Sequence, residues 1–366
     1  MSPVSPLSVP APILTRMRSG VVRGLAALPH GVLRRVVGPP VELDNQRLHV
    51  EAQLALKLLA VSGAPELESL SVAQARAQVA DDARTFEGRK YGGVSVEEVT
   101  VGGAAGPLSA RLYVPDHPGG NPAGRRSDGL LVFFHGGGFV VCDLDTHDNP
   151  CRFLAIRAGV RVLSVEYRLA PEEHFPGAID DALAAFRHTI DHAAELGADP
   201  ARIAVGGDSA GGNLAAGVAR LAAHDGGPVP AFQLLLYPWL DLSSKRPSYR
   251  LFGKGFYLTE SDLDWDRSHY VAHAGDELDP RCSPLLAEDL AGVAPAYIAT
   301  AGFDPLRDEG EEYAARLRAA GVPVALRRHS DLIHGFFNTV AIGHAGRDAV
   351  LEAAGALRLG LVGGFP

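Results

Sequence analysis

The sequence predicts an α/β protein with a mostly parallel central sheet flanked by helices, and two observations carry that prediction. Short, almost wholly apolar runs recur between residues 130 and 327, which suits strands buried on both faces rather than strands with one wet face. Helical patterns separate these runs, the alternation that crossover-connected parallel strands produce. The chain has 366 residues, 46% hydrophobic and 21% charged, enough for one large domain with an accessory piece. Its 34 basic and 43 acidic residues leave a net charge of −9, which argues against a nucleic-acid partner.

Residues 1–41 form a basic leader: Arg16, Arg18, Arg23, Arg34 and Arg35 occur before the first acidic residue, Glu42, interleaved with short apolar stretches. The pattern suggests peripheral contact with anionic lipid, whereas Pro29 and Pro39-Pro40 interrupt it and favour a loosely attached segment. No apolar run approaches the roughly 18 residues that span a bilayer, and the leader's short apolar stretches do not form a secretory h-region. Three cysteines, Cys142, Cys151 and Cys282, cannot all pair within one chain. Reduced thiols are expected, and with them a cytoplasmic protein that could touch a membrane surface.

From Asp44 the rhythm becomes helical, with Leu48, Ala52, Ala55 and Leu59 on one face and Asp44 or Asn45 available as N-cap. A second helix is expected over Ser71–Asp82, so residues 42–94 read as a helical region. Strands then follow near Val94–Val101 and Leu108–Val114, before a turn-rich link from Asp116 to Pro122. Beyond it, strands are expected at Leu130–Phe134, Val160–Val165, Ile203–Val205, Phe232–Leu236, Ala296–Ala301 and Val324–Arg327. The intervening helices fall near Asp148–Ala158, Ala178–Leu196, Gly211–Ala223 and Glu309–Ala320. Residues 95–366 thus form the main domain, and the sites of such sheets lie at the C-terminal ends of the strands.

The stretch Gly207-Asp208-Ser209-Ala210-Gly211-Gly212 places G-x-S-x-G between a strand and a helix, the context of a nucleophile elbow. Small residues on both sides fit a turn in which strand and helix come very close. An elbow serine needs a base and an acid that orients it, in the order Ser, Asp or Glu, His. Asp304, just past the strand ending at Ala301, and His334 in the next late loop fill that order; Asp308 is the rival acid but reads as a helix-start charge, and His329 reads as a strand end. Upstream, His135-Gly136-Gly137-Gly138 follows a strand, and the N–H groups of Gly137, Gly138 and Ala210 can converge on an oxyanion. Neither G-x-x-x-x-G-K-[ST] nor G-x-G-x-x-G occurs, so a phosphate cradle is the poorer reading.

HGGG at 135–138, YRLAPE at 167–172, GDSAGG at 207–212, DPLRDEG at 304–310 and HGF at 334–336 together resemble the bacterial hormone-sensitive lipase family of carboxylesterases on the α/β-hydrolase fold. The resemblance spans roughly residues 95–340. It implies that Ser209 is the nucleophile, His334 the general base and acid, and Asp304 its partner. It also implies a helical cap built from the N-terminal helices and an insertion at about 241–284. The expected substrate is a small-molecule ester of short to medium chain length, cleaved without cofactor or metal; a dimer is compatible with the sequence. The basic leader motivates a second reading, a membrane-surface lipase for longer acylglycerols. A small-molecule binder on the same fold, as in plant gibberellin receptors that lack the histidine, is disfavoured by His334. No lysine follows a serine at S-x-x-K spacing, which sets aside the β-lactamase pattern. His269 and His273 stand at i and i+4 but lack a third ligand, and read as a pair of cap-helix histidines. Glu166, Tyr167 and Arg168 read as an ion-pair and packing cluster.

Overall fold

The structure, a computed structural model, describes residues 11–116 and 128–365. The first ten residues of the leader, and the turn-rich link from residue 117 onward, lie outside them. The rest of the leader is helical: α1 (Ala11–Ala26) and α2 (His30–Val37). Val22, Ala26, Leu33 and Val37 are buried, the last two against Val50 and Leu54. Lys57 donates to the Val36 carbonyl at 2.8 Å and Gln53 to that of Pro39 at 2.7 Å. The stretch that read as loosely attached is therefore seated, because its apolar residues recur at helical spacing and find a partner helix.

Asp44 and Asn45 do not cap a helix. Both take positive φ, 55° and 56°, in the tight turn of a small hairpin between β1 (Glu42–Leu43) and β2 (Gln46–Arg47). Helix α3 (Val50–Ser62) starts after it with His49 as N-cap, and α4 (Val72–Phe86) opens on a capping box made by Ser71 and Gln74.

The main sheet takes β3 (Val94–Gly102), β4 (Pro107–Pro115), β5 (Leu130–Phe134), then β6 (Arg161–Val165) after α5 (Asp148–Ala158). Helix α6 (Gly177–Asp191) leads to β7 (Ile203–Asp208), and α7 (Ala210–His224) to β8 (Gln233–Leu236). An excursion with α8 (Pro247–Phe252) and α9 (Glu260–Tyr270) precedes β9 (Ala296–Phe303), α10 (Arg307–Ala319), β10 (Val324–Ile333) and α11 (Ala345–Leu361). Strand order is β10-β9-β8-β7-β5-β6-β4-β3; β3–β4 and β4–β6 are antiparallel and every other pairing is parallel. Strands β5, β7, β8 and β9 are buried along their whole length, as two-sided helix cover requires. One large cluster fills the face under α6 and α7, and a second fills the face under α5 and α11. Phe134 lies opposite Gly207 and Val165, so β5, β6 and β7 end nearly level. Among the described residues no helix is long and apolar enough to cross a membrane.

Candidate active site

Ser209 occupies the single-residue turn between β7 and α7 with φ 53° and ψ −119°, a conformation that only a well-held non-glycine residue keeps. It is held from three sides: its N–H donates to the Leu236 carbonyl at 2.9 Å, and its carbonyl accepts from Asn213 and Trp239 at 3.1 Å each. A Cβ on Gly207 or Gly211 would run into the Phe134 carbonyl of β5, which is why this elbow tolerates nothing larger.

Asp304 follows β9 and is fully buried, and His334 directly follows β10. His334 Nδ1 lies 2.8 Å from Asp304 Oδ2, while Asp304 Oδ1 accepts the Leu306 N–H at 2.8 Å. Both carboxylate oxygens are thereby committed, which fixes the carboxylate plane and leaves His334 Nε2 facing away from the acid. His334 and Ser209 line the same cavity, of about 430 Å³, together with Gly136, Gly137 and Gly138. Asp308, the rival acid, instead accepts from the Ser248 N–H at 2.9 Å and pairs with Arg307 at 2.9 Å, tying α10 to α8. His329 lies inside β10, just before a register shift that ends at Ile333, and that irregularity carries the strand on to His334.

The glycine loop is braced from beneath. Gly137 and Gly138 have φ of 110° and 59°, and the Gly137 carbonyl takes the N–H groups of Val140 and Val141, which leaves the Gly137 and Gly138 N–H groups outside that turn. Asp208 Oδ1 accepts the Gly136 N–H at 2.9 Å, and the Tyr167 hydroxyl donates to the His135 carbonyl at 2.8 Å. His135 is wholly buried and stacked on Tyr167; burial first, and His147 second, lower its pKa to about 4, so it stays neutral and structural at ordinary pH. Burial alone would raise the Asp208 carboxyl, but His147, 3.2 Å away, and the Gly136 N–H outweigh it and hold the group below its usual range. Ala210, the first residue of α7, is fully buried beside the elbow.

Several residues here carry no sequence motif. His147 and Tyr237 both reach Asp208; Tyr237 packs its ring 4.5 Å from that of His334, and its hydroxyl lies 3.3 Å from Asp208 Oδ2 while taking the Phe337 N–H at 3.3 Å. Asp266 of α9 packs against Gly138 so tightly that a Cβ there would overlap its carboxylate. Arg76 of α4 reaches across to the carbonyls of Val140 and Ala170 at 2.8 and 2.9 Å and pairs with Glu172, so the N-terminal helices are anchored beside the glycine loop. One expectation changes. The helix that holds His269 ends at Tyr270, and His273 sits beyond it, so the pair does not share a helix face; His269 Nδ1 instead faces the Trp265 carbonyl. The cluster at 166–168 is one of ion pairs and packing, made with outside partners: Arg168 pairs with Asp181 and Glu173, Tyr167 stacks on His135, and Glu166 accepts the Leu144 N–H. Among the described residues no group of three or more His, Cys, Asp or Glu side chains is placed to hold a metal.

This fold and this arrangement of residues together define an α/β-hydrolase, and a model of the alpha/beta hydrolase fold family matches residues 131–338. Carboxylic ester hydrolase LipN of Mycobacterium tuberculosis is 50% identical over 271 residues, 72% of this chain and 70% of that protein. Ethyl acetate hydrolase of Pseudomonas putida is 42% identical over 69% of this chain and 78% of its own length. The crystal structure of a thermostable esterase from Pseudomonas putida superposes with a TM-score of 0.81 at 34% identity, covering 87% of this chain and 99% of that one. An ester hydrolase from the Lake Arreo metagenome, bound to a bipyridine phosphonate derivative, is 40% identical with a TM-score of 0.79 over 85% and 98%. The chain belongs to the hormone-sensitive-lipase-like family and is a carboxylic ester hydrolase.

Proposed function

We propose that the chain hydrolyses short- to medium-chain carboxylic esters through a Ser209 acyl-enzyme. The observation that carries this reading is the strained Ser209 and the Asp304-paired imidazole of His334 opening on one cavity. His334 Nε2 takes the serine proton as Ser209 Oγ attacks the carbonyl carbon; the oxyanion is received by the N–H groups of Gly137, Gly138 and Ala210. The proton then passes from His334 to the departing alcohol, and the same imidazole activates water to release the acid. Asp304 fixes the Nδ1–H tautomer and stabilises the imidazolium. Asp208, with Gly136 and His135, positions the glycine loop.

Ser209→Ala should lose nearly all p-nitrophenyl butyrate hydrolysis while melting as a folded protein; a variant that keeps more than a few per cent of the rate rules out Ser209 as nucleophile. With wild type, rates should rise over short acyl chains, each buried CH₂ contributing about 0.8 kcal/mol, and fall beyond roughly ten carbons when the cavity ends.

A second reading, lipid hydrolysis at a membrane surface, rests on Val21, Val32 and Val36, exposed among Arg23, Arg34 and Arg35. It requires that Val32→Ser with Val36→Ser lower hydrolysis of acylglycerol in anionic vesicles and spare that of soluble esters. Equal effects on both remove it.

A further inference from the structure

The cavity over Ser209 has a one-sided charge. Glu66, Asp82, Asp208, Asp262 and Asp266 line it; Asp208 is paired with His147, His334 faces Asp304, and no lysine or arginine lines it among the described residues. Asp262 is accounted for, because one of its oxygens closes the capping box of α9 with Thr259. Asp266 is not. It is only 7% exposed, it faces the cavity, and its buried Oδ1 has no hydrogen-bond partner. Buried polar atoms without partners are uncommon, and a buried carboxylate without a cation is costly, so an orphan of this kind marks a place where a ligand completes the site.

Its position sharpens the point. The Asp266 carboxyl presses on Gly138, whose N–H belongs to the loop proposed to receive the oxyanion. A bare carboxylate there would repel the negative charge that develops during acyl transfer. A cationic group on the substrate, set against this carboxyl where it lines the cavity, would remove that repulsion and compensate the buried acid. Burial, and next the neighbouring Asp262, push the Asp266 carboxyl well above the usual carboxylate range, and a cation bound against it would draw it back down.

Resting on the esterase reading above, we infer that the preferred substrates are esters carrying a protonated amine, which Asp266 receives inside the Ser209 cavity. Asp266 is thus a specificity-determining residue, and the acidic lining selects against anionic esters.

Isosteric ester pairs test this at neutral pH with the full chain. 2-(Dimethylamino)ethyl acetate is compared with 3-methylbutyl acetate for an amine on the alcohol side, and ethyl 4-(dimethylamino)butanoate with ethyl 5-methylhexanoate for one on the acyl side. Wild type should favour the amine member of at least one pair by about tenfold or more in kcat/KM. Asp266→Asn, which keeps shape and removes the charge, should collapse that ratio towards one. The responding pair identifies the side on which the amine sits. A wild-type preference for the neutral member of both pairs overturns the inference without any variant, as does an amine preference that Asp266→Asn leaves within twofold. Hydrolysis of the neutral esters separates the two readings. If they are cleaved but the amine ratio fails, only the substrate class is wrong, and if no ester is cleaved the esterase reading falls and this inference with it.

Discussion

Replacing Asp304 by Asn keeps the size of the side chain and leaves it with one acceptor where two are in use. The carboxylate takes the Leu306 N–H at Oδ1 and faces His334 Nδ1 at Oδ2, each at 2.8 Å, in a fully buried position. The amide can sit in two ways. With its oxygen on Leu306, its NH₂ points at His334, which must then present a bare Nδ1 and carry its proton on Nε2. That tautomer cannot accept the serine proton, and in a Ser-His-Asp site the error costs about 10⁴ in kcat, or roughly 5 kcal/mol. With the amide reversed, the imidazole tautomer is restored, but a buried N–H on Leu306 meets a second donor, at about 1–3 kcal/mol. The reversed form also lacks the charge that stabilises the imidazolium. Asp304→Asn should therefore lose 10³- to 10⁴-fold in kcat for p-nitrophenyl butyrate with KM little changed. Asp308→Asn still offers an acceptor to Ser248 and loses only a partly exposed pair with Arg307, so it should stay within about fivefold of wild type. A larger loss for Asp308→Asn than for Asp304→Asn would refute the reasoning and identify the wrong acid.

Two further outcomes follow from a part-buried carboxyl in the cavity lining and a buried tyrosine beside His334. Burial first, and Asp81 second, raise the Asp82 carboxyl to about 6 against the pull of Arg18, so the folded chain holds this proton more tightly than the unfolded one. Stability from this group is therefore intact at acid pH and lost as pH rises through about 6. Asp82→Asn should leave the melting temperature unchanged near pH 4 and raise it by roughly 2 to 4 °C at pH 8; equal shifts at both values would sink the assignment. Tyr237→Phe removes the hydroxyl that takes the Phe337 N–H and reaches Asp208, so it should destabilise the chain by about 1–3 kcal/mol in denaturant titration, and an unchanged midpoint would show that water replaces the bond.

The strands were legible because a parallel sheet covered on both sides demands short apolar runs, and Leu130–Phe134 and Val160–Val165 are such runs. Helix α5 coincides with its expected span, whereas α11 was overlooked. Its inward face is Ala349, Val350, Ala353, Ala354, Leu357 and Leu361, a stripe half of alanine that reads less strongly than a leucine stripe although its spacing is helical. The start of α3 was misplaced by several residues, since Asp44 and Asn45 suit a left-handed turn as well as they suit an N-cap. In the site, the motif-bearing residues could be read because they sit beside glycines whose chemistry is local. His147, Tyr237 and Asp266 could not, because each earns its place through a contact with a residue 29 or more positions away in the chain, which no periodicity encodes; Asp266 reaches Gly138 over 128 positions (266 − 138).

The level ends of β5 and β7 have a consequence for how such a molecule can diversify. Phe134 and Gly207 are register partners, so the glycine loop and the serine turn depart from neighbouring rungs of one backbone ladder. The two strands they leave are about 4.8 Å apart there, a dimension that no side chain sets. Residues such as Leu56, Gln78 and Asp266, which shape the volume above, come from α3, α4 and α9 outside that ladder. What the chamber admits can therefore be redrawn by substitution, insertion or loss in those helices while the glycine loop and the serine turn stay anchored to the same two strands. A lineage carrying this scaffold is free to explore new diets without relearning the reaction.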